Sequence, residues 1–382
     1  MEFSIECGTF TITVTNNADG VVTYSSSDPD VASVDPMTGE VTPGTVATAT
    51  VVPVTITATV ADSERATYTQ KTAQYTLNVG GGYRYLMWDD TNKKLVYNFE
   101  SPGSALDLID SNTDAAMKLQ TGGGVKFVKG PITIDANVTI PVDLLLVLLD
   151  GAELEINGQL KAYSTPTSPV LSITAQSEGT EKGKLVVKNN NGNAIDCYKD
   201  LNIYGGKITA EVTGTGKWHG ISVSNSSLNI YGGDVTAKGS NNTNTTTPIN
   251  NNGGGFGIIA ATYIYGGTLS AVGGNSTNYL GGFGCQGGLY IHGGQATFFA
   301  GNGATGYTNN PACLSSLYYY GGSIMAIGDV TGNGIHSEIY NKSDASIVIY
   351  YNSDGSTTNF PGTFPLDANR NSALSIRSIK IE

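Results

Sequence analysis

The chain has 382 residues and a formal net charge of −12, with 20 Lys and Arg against 32 Asp and Glu. It is long enough for two or more domains with cores of their own. Its few cations leave no basic patch to neutralise phosphates or anionic lipid, which argues against nucleic acid and membrane surfaces as partners.

Glycine (50 residues) and Tyr (21) are abundant while 14% of residues are charged, the profile of a strand-rich, turn-rich protein. The longest aliphatic run, Leu144 to Leu149, is far short of the roughly 20 residues that cross a bilayer as a helix. Met1 is followed by the acidic "EFSIE", not by a basic and then apolar leader, so the sequence reads as a mature fragment. Cys7 stands where a lipoprotein anchor would sit, but "FSIEC" lacks the small residues and upstream apolar stretch, and Cys7 is read as a strand residue.

Residues 1–80 alternate apolar and polar in short runs, "FTITVT", "VVTYSSS", "ATVVPVTITATV" and "QYTLNV", separated by turn clusters such as "NNADG" and "DPMTG". This pattern predicts a β-sandwich. The stretch "VVTYSSSDPDVASVDPMTGEVTPGTVATATV" resembles the bacterial immunoglobulin-like group 2 domain, with an aromatic residue, Ser-Ser, a turn, "VA-V" and a "TG-V" hairpin. Tyr24 stands in place of that family's usual Trp, and Pro43-Gly44 falls near its glycine turn. The resemblance implies an exported spacer and says little about ligands.

Residues 81–130 read as a junction and N-terminal cap. "SALDLIDSNTDAAMKLQTGGG" predicts a helix with Leu106, Ile109, Ala116 and Leu119 on one face and glycines as its stop. Such a helix would shield the open end of a stack of strands from solvent and stray pairing.

From 131 to 382 strands resume, and an internal repeat emerges. "LNIYGG" ends at Gly206 and again at Gly233, followed by "YIYGG" at Gly267, "YIHGG" at Gly294 and "YYYGG" at Gly322, in steps of 27, 34, 27 and 28 residues. The polar insert "SNNTNTTTPINNN" at 240–252 accounts for the long step. Drawn out as one strand, such a unit would cover roughly 90 Å, so it must fold into several strands and return onto its predecessor. Leucine-rich repeats need an L-x-x-L-x-L framework and propeller blades a longer period. The expected fold is therefore all-β: an immunoglobulin-like sandwich followed by a right-handed, single-stranded parallel β-helix, a pectate-lyase-like solenoid with coils of about 27 residues.

Alternate strand residues point to opposite faces. That sends Leu201, Ile203, Leu228, Ile230, Ile264, Leu289, Ile291 and Leu317 inward, then the ladders Ile208, Val235, Leu269, Ala296, Ile324 and Ala210, Ala237, Ala271, Phe298, Ala326. Cys197, Cys285 and Cys313 each precede their glycine pair by eight residues and are expected as small apolar members of one stacked thiol position. Disulfides stay open in principle, and no C-x-x-C metal spacing occurs.

Outward go Asn202 and Tyr204, Asn229 and Tyr231, Tyr263 and Tyr265, Tyr290 and His292, Tyr318 and Tyr320. Two files of aromatic residues on one face could stack on the rings of an extended polysaccharide. They could equally serve the strands themselves by cross-strand contact. Trp218, with His219 in the loop leading into the second repeat, is a candidate extension of the platform.

Catalytic residues are not found. Pectate-type lyases need calcium-binding acids and a basic proton acceptor, but 185–340 contains no Arg, and Asp196, Asp200, Asp234 and Asp329 do not recur at one repeat position. Glycoside hydrolysis calls for a carboxylate pair, and the one acidic doublet, Asp89-Asp90, sits in the junction. "GNGIH" ending at His336 and "RSIK" at Arg377–Lys380 echo polygalacturonase signatures without their paired aspartates. No cofactor or metal is expected; calcium in "GDVTGNG" is left open.

The repeat over 185–340 looks like the glycine-rich β-helix repeats of bacterial surface proteins described as carbohydrate-binding or adhesin-like. The resemblance implies a noncatalytic, monomeric extracellular or cell-surface protein, its anchoring through a removed lipoprotein segment left open. Its expected partner is a polysaccharide or a host or matrix glycoconjugate. A structural stalk or protein-binding adhesin, and a polysaccharide lyase or glycoside hydrolase, are the alternatives.

Overall fold

The computed structural model describes residues 2–4, 9–12, 14, 20–43, 52–61, 70–80, 83–100, 107–163, 168–243, 253–277, 279–304, 312–313, 315–328, 339–341, 347–350, 357–360 and 378–381. Cys7, Gly44, Leu106, residues 244–252, Asp329 and the rest of the "GDVTGNG" loop after Gly328, His336 and Arg377 lie outside the described residues. The protein is all-β, with one helix among the described residues. It divides into two compact units, 1–85 with 97–105 and 86–96 with 106–382.

In the first unit, Val22–Ser26, Val52–Val60 and Lys71–Gly80 form an antiparallel sheet, which Glu2–Ser4 joins in parallel along its edge. Phe10–Thr11, Glu40–Pro43 and Ala32–Val34 make a second, antiparallel sheet. Alternation along these strands directs Ala32 and Val41 from one sheet and Val54, Ile56, Leu77 and Val79 from the other into a single core. The "DPMTG" turn is closed by Asp35, whose carboxylate accepts from the backbone N–H groups of Met37 (2.9 Å) and Thr38 (2.7 Å). Those bonds favour the charged form and hold its pKa below the ordinary carboxylate value.

The second unit is organised by two long parallel sheets. One runs through Leu108–Ile109, Gly124–Val128, Leu144–Leu148, Leu171–Ala175, Leu201–Ile203, Ile221–Ile230, Ile258–Ile264, Leu289–Ile291, Leu317–Tyr319 and Ile339–Asn341. The other runs through Pro131–Ile134, Glu153–Asn157, Lys184–Asn189, Lys207–Val212, Asp234–Lys238, Thr268–Val272, Gln295–Phe299 and Ser323–Ile327. Successive repeats thus add strands to both sheets, the short strands Val138–Thr139, Leu160–Ala162, Ile195–Cys197 and Cys285–Gln286 joining the first beside its main path, and equivalent residues pair directly. Ile208, Val235, Leu269, Ala296 and Ile324 form one continuous file, and Ala210, Ala237, Ala271, Phe298 and Ala326 another. All are almost fully buried, and each large aliphatic member contributes on the order of 2 kcal/mol by leaving water.

Two departures mark the inner ladders. Thr262 takes the place of Leu in the file Leu201, Leu228, Thr262, Leu289, Leu317; it is fully buried, and its hydroxyl donates to Ala260 O at 3.3 Å. Tyr319 follows Ile203, Ile230, Ile264 and Ile291 in the next file with 1% of its surface exposed, its hydroxyl donating to Gly322 O at 2.6 Å.

The cysteines do not share one position. Cys285 pairs with Ile258 and Cys313, and Ile258 pairs with Ile221, itself opposite Ile195. Cys197 stands two residues further on, opposite Val223. The reason is a register shift between Ser222 and Ser227, where the strand Ile221–Ile230 carries extra residues relative to its neighbour. All three thiols are free and buried.

The helix spans Asn112–Gln120, capped by Ser111, whose hydroxyl accepts from Thr113 N–H at 3.3 Å. It begins later than the sequence pattern suggests, because Ile109 is drawn into a strand paired with Gly124–Val128. Its buried residues are Ala115, Lys118 and Leu119, so Ala116 is not on the innermost line. The Lys118 ammonium is satisfied by Leu108 O (2.8 Å) and the Asp114 carboxylate (3.0 Å).

At the far end the parallel pattern stops. Ser378–Ile381 pairs antiparallel with Ser323–Ile327, followed by Ile347–Tyr350 and Thr357–Phe360, also antiparallel. These strands cover an edge that would otherwise offer unpaired N–H and C=O groups.

Candidate ligand-binding surface

The glycine pairs turn the chain from the first parallel sheet to the second. Gly267 has φ +74°, and a Cβ there would lie 2.4 Å from Gly233 O on the preceding coil. Only a residue without a side chain fits both the left-handed backbone and the close approach. The residue before each pair therefore projects outward at a fixed height.

That placement generates the two expected files. Tyr204, Tyr231, Tyr265, His292 and Tyr320 stack in sequence, with ring centroids 5.1, 4.9, 4.8 and 4.4 Å apart and planes within 16° of parallel. Alongside, Tyr263, Tyr290, Tyr318 and Tyr340 stack at 4.4, 4.7 and 4.7 Å. Asn202 and Asn229 precede them in the same register, the Asn229 amide donating to Asn202 Oδ1 at 3.0 Å.

Because the coils lie one strand spacing apart, each interior ring has its flat faces against its neighbours. The surface consequently presents ring edges and polar tips. Stacking of a sugar on a free ring face is limited to the ends of the files.

One file is also covered in part. The segment 86–96 brings Trp88 against Tyr231 (4.9 Å) and Tyr265 (5.5 Å), with its indole N–H bonded to Asp90 Oδ1 at 3.1 Å. Leu86 and Leu95 reach the glycine turns: Cβ atoms at Gly205 and Gly232 would lie 3.0 and 2.7 Å from their methyl groups. Burial, followed by neighbouring phenols and Asp90, pushes the Tyr231 phenol up to about 12. Tyr204 and Tyr265 are also raised, first by burial. Further along, His292 and Tyr320 are exposed and Tyr263, Tyr290 and Tyr318 are half-buried.

Trp218 does not join this face. It precedes the strand Ile221–Ile230, whereas Tyr231 follows it, so the two lie at opposite ends. The Trp218 indole folds over Gly216 instead. At this opposite bend lies a third stack that the spacing of the glycine pairs does not mark: His219 on Phe256 (4.8 Å) and Phe256 on Phe283 (5.0 Å). Its signal is present as aromatic-Gly-apolar triplets, His219-Gly220-Ile221, Phe256-Gly257-Ile258 and Phe283-Gly284-Cys285.

From 235 to 328 the chain contains neither Asp nor Glu. Among the described residues, no group of three His, Cys, Asp or Glu side chains is placed to hold a metal ion. Compared with protein-family models, curated proteins and solved structures, the chain matches none.

Proposed function

We propose that the protein is a noncatalytic, exported adhesion protein that holds an extended glycan along the uncovered part of its tyrosine strip. In this reading the second unit is a right-handed parallel β-helix and the first an immunoglobulin-like spacer of the bacterial group 2 type. The observation that carries it is the side-by-side run of Tyr263, Tyr290 and Tyr318 with His292 and Tyr320, which repeats a polar-tipped aromatic edge once per coil. A polymer of sugar rings offers matching hydroxyls and C–H edges at regular intervals. The carboxylate-free stretch over these coils supports binding over cleavage, since glycosidic hydrolysis draws on two acids.

A second reading, a structural stalk or protein-binding adhesin, is favoured by the ring-on-ring stacking and by Trp88, which covers two members of one file. A polysaccharide array separates the two. The Tyr290→Ala/Tyr318→Ala variant should lose binding while still melting cooperatively; absence of binding by the unaltered protein would leave the stalk.

A further inference from the structure

The bend that carries the long loops holds a pocket of about 400 Å³, lined among others by Lys217, His219, Phe256, Tyr279, Phe283 and Gln286. Its size is that of a small-molecule site, and three successive loops contribute to it. The stack His219–Phe256–Phe283 gives it an apolar wall. His219 is fixed by accepting the Phe256 backbone N–H on Nδ1 at 3.0 Å. A neutral imidazole in that bond carries its hydrogen on Nε2, where it is a donor.

The charge distribution is unusual for so acidic a chain. No carboxylate occurs from 235 to 328, and no Lys or Arg from 239 to 328. Lys217 is thus the cation of this pocket, with its ammonium 5.8 Å from the Phe256 ring centre. Three other lysines of these coils are paired: Lys188 with Glu155 (2.7 Å), Lys238 with Glu211 (2.6 Å) and Lys182 with Asp234 (2.8 Å). Among the described residues no ion pair engages Lys217.

We propose that this pocket binds a single hexuronate residue, its carboxylate on Lys217, its hydroxyls on the Gln286 amide and the His219 imidazole, and its C–H edge against the phenylalanines. A neutral sugar would leave the cation unanswered, and a bare anion would make no use of the aromatic wall. The site lies at the opposite end of the strands from the tyrosine strip and stands independently of the function proposed for that strip.

Calorimetric titration at low salt with glucuronate, glucose and benzoate tests it. Glucuronate should saturate below about 10 mM, with glucose and benzoate at least about tenfold weaker. Lys217→Gln should weaken glucuronate at least about tenfold and Lys217→Arg by less than about threefold. Neither change should move the melting temperature, since Lys217 is exposed, and Tyr290→Ala/Tyr318→Ala should leave glucuronate binding intact. The proposal is overturned by no glucuronate saturation with the unaltered protein, by equal binding of glucose or benzoate, or by unchanged affinity in Lys217→Gln.

Discussion

Trp88 rests against Tyr231 with ring centroids 4.9 Å apart and planes inclined by 34°. A residue about 140 positions earlier in the chain thereby covers part of a ladder whose regularity comes from the repeat. Removing the indole in Trp88→Ala should destabilise the protein by about 1–3 kcal/mol in urea unfolding. Any glycan affinity that resides on Tyr290 and Tyr318 should remain. Unchanged stability would mean that the indole contributes nothing to the ladder.

The turn glycines make a sharper contrast. At Gly267 an added Cβ meets Gly233 O at 2.4 Å as well as a left-handed backbone, whereas at Gly122 (φ +68°) nothing lies within 4 Å. Gly267→Ala is expected to lose more than about 3 kcal/mol, and Gly122→Ala about 1 kcal/mol from backbone conformation alone. Equal losses would refute the close coil-to-coil approach.

The thiols of Cys197, Cys285 and Cys313 are fully buried, and burial pushes all three pKa values up, that of Cys285 to about 12. The thiolate is the reactive form. In a Cys7→Ser background, no thiol should react with an aromatic disulfide reagent near pH 8 until denaturant is added. Prompt modification of any one of the three would place it at the surface.

His219 predicts an acid sensitivity. Burial, then the neighbouring Lys217, lowers its pKa from the ordinary 6.5 to about 4. The unfolded chain therefore takes up a proton that the folded one refuses between those values. Stability from this group is complete above about pH 6.5, falls as pH drops toward 4 and is flat below, a change on the order of 3 kcal/mol. His219→Phe should be less stable at neutral pH, because Phe256 N–H loses its acceptor. Its stability should nevertheless vary less between pH 6.5 and 4; an unchanged slope in urea unfolding would exclude His219 as the source.

The alternation of "L-x-I-Y-G-G" was enough to place Leu201, Ile203 and their equivalents inside and Tyr204 and Tyr263 outside, because a strand has a fixed period of two. The spacing of glycine pairs likewise specified that Val235 would lie between Ile208 and Leu269. It did not reveal that Cys197 is offset from Cys285, since that depends on extra residues accommodated within Ile221–Ile230.

By itself the sequence determined the repeat, its inward ladders and the two aromatic files, all of which follow from backbone geometry applied to a local pattern. Only the tertiary structure decided that the tyrosines turn their faces to one another, that Trp88 covers Tyr231 and Tyr265, and that Lys217 and His219 meet Phe256 and Phe283 in a pocket. Each of these depends on how closely coils approach and where a distant or loop residue comes to rest, and such distances arise when all the coils pack at once.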